Sequence, residues 1–521
     1  MKKLIVFIFL GFCSNVFGST YTAASCNEAA VQTAINSELA TPADGDVIVI
    51  PAGSCTWSGS GINVTFRTSV TMQGAGAISS TTGGAGTTGS DATAITNNLG
   101  SGNPVMEFHT TAGKSLRITG IAILENGSSG AQGTGNLVID GASTAVRVDH
   151  CHFLIFINGS KGLGVQNAVT GVADHLYIDT TQGITNDFVF LNGGNWQGDS
   201  DPNSLGNQSW VDSDHFGTSQ FFYVEDTRIS GGYLSDCSNG GRWVFRYSTV
   251  VGGNFGAANH GTHDPWRSCR AAEIYQNTWT FGAGSANGGI THNNGGTTLA
   301  WGNTTTGYRF VVDLNNVRQD GSTYGQQPPP NGWGYCGNAA SGVTSPWDQN
   351  TTSNGYACLD QPGRGAGDLL AGYPQSSIVN VTLGNTRAWP RQALVPIYAW
   401  ANNYNDAGYS PEGIVGDNTG MLRDNVDYYQ QFGTFGESGS FNGTKGIGQG
   451  LLSARPSTCT AGPGGNTLGV GYWATDTNTL YVCNPSNTWM AYYTPYTYPH
   501  PLTGTSQAAP APPTNVVATP H

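Results

Sequence analysis

The chain has 521 residues, of which only 10% are charged, and a formal net charge of −13. That balance argues against binding nucleic acid or an anionic membrane through a basic field, and no run after the N-terminus is long and apolar enough to span a bilayer. The surface must be built from neutral hydrogen-bonding groups and aromatics; with 13 Trp and 22 Tyr it suits sugars, whose hydroxyls and apolar ring faces need both.

Residues 1–19 read as a secretory signal peptide: two lysines, an apolar run from Leu4 to Phe12, and small residues at Gly18 and Ser19. Phe12 is a poor fit to the small residue that a lipoprotein site at Cys13 needs. The mature protein is therefore expected outside the cell, at its surface or in the periplasm. Removing Cys13 leaves nine cysteines. In an exported protein, proximity pairs them as Cys26–Cys55, Cys237–Cys269, Cys336–Cys358 and Cys459–Cys483, with Cys151 a buried small hydrophobe.

Between Val148 and Thr304, inside a parallel β-helix domain expected over residues 20 to about 415, one hexad recurs. It reads Val148-Asp149-His150-Cys151-His152-Phe153, then Ala173 to Ile178, Val224 to Ile229, Phe245 to Val250 and Ile274 to Trp279, with an echo at Ala300 to Thr304. Copies start 25 residues apart at Val148 and Ala173, then 21 and 29 apart along Val224, Phe245 and Ile274. A short strand at such a period, with no helical pattern between copies, predicts an all-β parallel solenoid. Each rung is too short to hide its apolar residues alone, so rungs stack, and 76 Gly serve the bends between strands.

Before the hexads, Asn27 to Ile35 has helical spacing of apolar residues and reads as a capping helix. Gly45 to Gly53 follows as GDVIVIPAG, and Val70 to Gly76 as VTMQGAG. This order resembles the start of the right-handed parallel β-helix superfamily that includes pectate lyases. The resemblance covers the N-terminal cap and, through the rungs, residues 25 to 405. It implies a secreted protein that acts on or binds polysaccharide, commonly a lyase or glycoside hydrolase. It supplies no catalytic set, because Arg387-Ala388-Trp389-Pro390-Arg391 departs from the Arg-x-Pro-x-x-Arg setting of pectate lyases.

Candidate chemistry comes from the densest group of ionisable residues: Arg242, Arg246, His260, His263, Asp264, Arg267, Arg270 and Glu273. Ladder alignment puts Glu225 beside Arg246 on the next rung. A lyase needs a base and a cation that neutralises a uronate carboxylate; His260 or His263 could take the proton while the four arginines neutralise. Ca2+ could serve instead through Glu225, Asp226, Asp264 and Glu273. A hydrolase needs two carboxylates flanking the bond, about 5 to 9.5 Å apart, for which Glu225, Asp264 and Glu273 are candidates. The same residues also read as ion pairs that steady adjacent rungs, and the rung setting already explains His150, His152 and His175.

A loop excursion at about 320–390 is rich in Gly and aromatics, with Trp333, Trp347 and Arg364 as candidate sugar contacts; a disulfide-pinned loop without ligand is the plainer reading. Residues 416–503 alternate like a small β-rich unit, expected to cap the open end of the solenoid; a carbohydrate-binding module is the sharper reading. Residues 504–521 form a Pro/Ala-rich tail or linker. Together these predict a monomeric, secreted β-helix protein that cleaves a uronate-containing polysaccharide by β-elimination or hydrolysis. The alternative is a non-catalytic glycan-binding or adhesive surface protein.

Overall fold

A computed structural model describes residues 18–504 except 80–89, 128–129, 131–132, 181–186, 195, 197–205, 232, 253–256, 260–266, 281–288, 308–309, 315–359, 368, 371–377, 381–384, 388–391, 405–411, 417–421 and 434–436. Among the described residues, three long sheets of 12, 10 and 10 strands are parallel throughout. We call them sheets I, II and III. The chain visits them in turn: Leu137–Gly141 lies in sheet III, Ala145–Asp149 in sheet I and His152–Leu154 in sheet II, and the next coil repeats the order with Lys161–Gln166, Gly171–Asp174 and Tyr177–Asp179. The predicted stacking of single strands into a parallel solenoid is thus present. The helix Glu28–Ala40 buries Val31, Ala34 and Ile35 in the same apolar interior as the first strands.

The recurring hexad is not one strand. Its first two residues end a strand of sheet I and its last two begin a strand of sheet II. The third residue bends the chain in the left-handed region: φ is 51° at His150, 55° at His175, 50° at Asp226, 49° at Tyr247 and 58° at Gln276. Glycine takes this place at Gly302, with φ 63°, where no Cβ penalty arises. The fourth residue points inward. In the later coils it is polar, and its side chain accepts the N–H of its counterpart one rung earlier: Thr227 N donates to Ser248 Oγ at 3.0 Å, Ser248 N to Asn277 Oδ1 at 2.9 Å, Asn277 N to Asn303 Oδ1 at 3.2 Å and Asn303 N to Asn402 Oδ1 at 3.0 Å. This ladder satisfies backbone donors that a bend between sheets would otherwise bury unpaired.

Cys26–Cys55, Cys237–Cys269 and Cys459–Cys483 are bonded as expected, and Cys151 is a buried thiol. Cys336 and Cys358 lie outside the described residues. Within the predicted excursion, Arg364–Gly367 pairs antiparallel with Gln392–Leu394, and Leu369–Leu370, Ile378–Asn380 and Asn385–Arg387 form a small antiparallel sheet.

The C-terminal unit has four strands, Ile447–Gly450, Gly471–Ala474, Thr479–Cys483 and Trp489–Tyr493, with the first pair parallel and the rest antiparallel. Residues 416–503 were expected to cap the open end of the solenoid; Tyr428–Gln430 is the last strand of sheet I there, beside Ile397–Trp400, while the four-stranded part lies along the outer face of sheet I. There Ile447, Trp473, Leu480 and Tyr493 share one buried cluster with Tyr223, Tyr275, Trp301, Tyr398 and Trp400. Register stacks the rungs' aromatics, with ring centroids 4.6 Å apart for Tyr275–Trp301 and 5.8 Å for Trp301–Trp400. A run of aromatics on one sheet face is a large apolar surface, and burying each such side chain stabilises by about 1.5–3 kcal/mol. The fold covers it with its own C-terminus.

Candidate functional site

Sheet I carries the predicted charge cluster, and register makes Glu225 and Arg246 partners on adjacent rungs, as the ladder predicted. Both side chains are fully buried. Arg246 Nε donates to Glu225 Oε2 at 2.7 Å, while Nη1 and Nη2 donate to the carbonyls of Tyr496 and Thr497, each at 2.8 Å. The guanidinium also lies over the Tyr223 ring, 4.6 Å from its centroid. Burial opposes its charge, but the facing oxygens of Tyr275, Glu225 and Tyr223 outweigh that and raise its affinity for the proton above the ordinary value. Glu225 Oε1 accepts from His500 N at 2.8 Å, and Asp226 Oδ1 from Tyr498 Oη at 2.6 Å. Glu273 accepts from Gly217 N at 2.7 Å and Tyr493 Oη at 2.8 Å, and burial pushes its carboxyl up to about 7.

The remaining arginines are occupied in the same way. Arg242 donates to the carbonyls of Ser209, Ser213 and Asp214. Arg267 makes a two-point bond to Asp360 at 3.0 and 2.7 Å, Arg270 reaches Asp214 Oδ1 at 2.6 Å, and Arg364 reaches Asp427 Oδ1 at 2.5 Å. All five guanidinium groups are buried, so a polymeric substrate cannot reach them, and Arg364 is not a surface sugar contact. A chain with so few charges places its arginines where backbone carbonyls and carboxylates must be tied together across segments. His260, His263, Asp264, Trp333 and Trp347 lie outside the described residues. Among the described residues, the carboxylates expected to hold calcium do not form a ligand cluster; the group whose ligand atoms converge is Glu107, His109 and Asp140.

That group belongs to sheet III, whose outer face carries a line of ionisable residues that sequence reasoning missed. Lys161 Nζ lies 3.0 Å from Asp236 Oδ2, and His292 Nδ1 lies 2.6 Å from Asp313 Oδ2. Asp236, His292 and Asp313 are each about a fifth exposed, at 22%, 23% and 17%. Register runs Phe190, Asp236, Ala258, His292, Asp313 across five adjacent strands. Asp236 and His292 therefore flank the strand Ala257–Asn259, about two strand spacings or ~10 Å apart. The available signal was alternation: His292 sits between the buried Thr291 and Asn293, and Asp313 between the buried Val312 and Leu314.

The described molecule is thus a parallel β-solenoid with a second β unit clamped to one side. No described helix is long and apolar enough to cross a membrane. No family model and no curated protein matches the chain. A solved structure described as ORF18 of Geobacillus virus E2 is similar to it with a TM-score of 0.33 and 11% identity, over 91% of this chain and 76% of that one; a likeness at that level carries no argument about fold or function.

Proposed function

We propose that this is an exported, right-handed β-helix protein of pectate-lyase-like build that binds a polysaccharide along the outer face of sheet III and hydrolyses it there. The observation that carries the reading is the pairing of Asp236 with Lys161 and of His292 with Asp313 on the outer face of sheet III, each partly exposed, with one strand between the pairs. Asp236 and His292 stand ~10 Å apart at the backbone, close to the roughly 6.5–9.5 Å between acid and base that leaves room for a water and a glycosidic bond. In this reading Asp236, held beside Lys161, takes the part of the base and His292, held by Asp313, that of the acid. Elimination from a uronate needs a cation free to face the substrate carboxylate; among the described residues the five arginines are buried and Lys161 faces Asp236, so hydrolysis of a neutral chain fits better. The leader-like composition of residues 1–19 and the three disulfides among the described residues support export.

Incubation of the mature protein with neutral and uronate-containing polysaccharides separates the outcomes. New reducing ends without the ultraviolet absorbance of an unsaturated uronate are expected, and Asp236→Asn or His292→Ala should lower their release at least 100-fold with thermal unfolding unchanged. Retention of the glycan without cleavage supports the binding alternative, and neither retention nor cleavage overturns the proposal.

A further inference from the structure

Three neighbouring rungs near the N-terminal end of sheet III bring Asn63, Glu107, His109 and Asp140 together on its outer face. Asn63 is the register partner of Glu107, and His109 that of Asp140. His109 Nδ1 lies 2.6 Å from Asp140 Oδ1 and Nε2 lies 3.0 Å from Asn63 Oδ1. Asn63 Nδ2 donates to Glu107 Oε2 at 2.8 Å, and Glu107 Oε1 is 3.9 Å from His109 Nε2.

With the side chains as they stand, a neutral imidazole leaves one acceptor of this arrangement facing another. With the proton on Nδ1, donated to Asp140, the Nε2 lone pair faces Asn63 Oδ1, which is also an acceptor. The other tautomer sets the Nδ1 lone pair against the Asp140 carboxylate. Turning the Asn63 amide over moves the conflict to Glu107, whose oxygen then faces Asn63 Oδ1. A cation at the point shared by Nε2, Oδ1 and Oε1 would face all three acceptors at once.

We infer that this point is a divalent-metal site of the zinc class, with His109 Nε2, Asn63 Oδ1 and Glu107 Oε1 as ligands. Ligands about 2.1 Å from a common ion lie about 3.0–3.4 Å apart; the Nε2 to Oδ1 separation already falls in that range, and Glu107, 28% exposed, can close the rest by rotating. Asp140 stands behind the ring as the positioning residue, fixing the tautomer that points Nε2 at the ion. Imidazole with carboxylate and amide oxygen suits borderline divalent ions, and the side chains' exposure leaves an entry path and an open coordination position for water. The site lies four strand spacings, ~19 Å, from the strand of Asp236 and does not depend on the glycan reading.

Cobalt(II), followed by its visible absorption, tests the inference on the intact mature protein after chelator treatment. One equivalent should bind at neutral pH and be displaced by zinc, and zinc should raise the unfolding temperature. His109→Ala and the near-isosteric Glu107→Gln should weaken binding at least 100-fold, and Asp140→Asn 10- to 100-fold, with circular dichroism unchanged. If His109→Ala does not fold, Glu107→Gln carries the test. The rival source of positive charge is a doubly protonated His109, which binds no metal. Absence of a cobalt spectrum overturns the inference in its favour, and a spectrum unaffected by Glu107→Gln overturns it by placing the ion elsewhere.

Discussion

Arg246→Met isolates what the buried charge cluster does. Methionine keeps most of the side chain's volume, so the cavity left behind is small and the change is chiefly electrostatic. It strips Glu225 of its ion pair, although His500 N still bonds one oxygen, and it removes the donors to the carbonyls of Tyr496 and Thr497. Breaking one side of a buried pair costs about 3–5 kcal/mol, because an uncompensated charge remains in a dry site. Urea unfolding followed by tryptophan fluorescence reads this directly, since Trp301 and Trp400 sit in the same interface. Limited proteolysis should also cut near residue 495 in the variant and not in the native chain. The double variant Glu225→Leu/Arg246→Met removes the orphaned carboxylate, so its cost should fall short of the two single costs added by about 2 kcal/mol or more. A single-variant cost below about 1 kcal/mol, the worth of an exposed pair, would refute the view that this cluster fastens the C-terminal segment.

Glu273 gives a pH signature. Its folded-state pKa near 7 exceeds the ordinary 4.5, so the folded state holds this proton more tightly and the associated stability, present below about pH 4.5, is lost as pH rises to about 7. Glu273→Gln should remove a decline on the order of 3 kcal/mol across that window, measured as the pH dependence of urea unfolding. His500 shifts the other way, pushed down by burial to about 4; its contribution is absent below about pH 4 and grows towards pH 6.5, and His500→Gln should flatten that rise. Asn303→Ala orphans the buried Asn277 N–H and the carbonyl of Ile274, and should destabilise by about 2–4 kcal/mol in the same assay. Replacing Cys237 and Cys269 by alanine opens a link across 32 residues and should cost about 2–4 kcal/mol.

The sequence by itself determined the coil. A hexad repeating every twenty to thirty residues, with a residue that tolerates the left-handed bend at its third place and a small, polar or sulfur side chain often at its fourth, is local information, because each rung meets only its neighbours and register follows from the repeat. The same nearness along the chain made the bonds of Cys26, Cys237 and Cys459 legible. It also placed Glu225 beside Arg246. What it could not decide was whether that pair faces water. That depends on where residues 447–503 settle, a contact across some 250 residues for Arg246 and Tyr496 that no local pattern encodes. An aromatic column that could have met sugar is satisfied by Trp473 and Tyr493 instead, because the chain's own apolar strand, tethered to the solenoid, buries it at no cost in translational freedom. The polar line of sheet III likewise exists only in the stack: Asp236, His292 and Asp313 are isolated in sequence, and become neighbours because parallel rungs bring equivalent positions within a few strand spacings of each other.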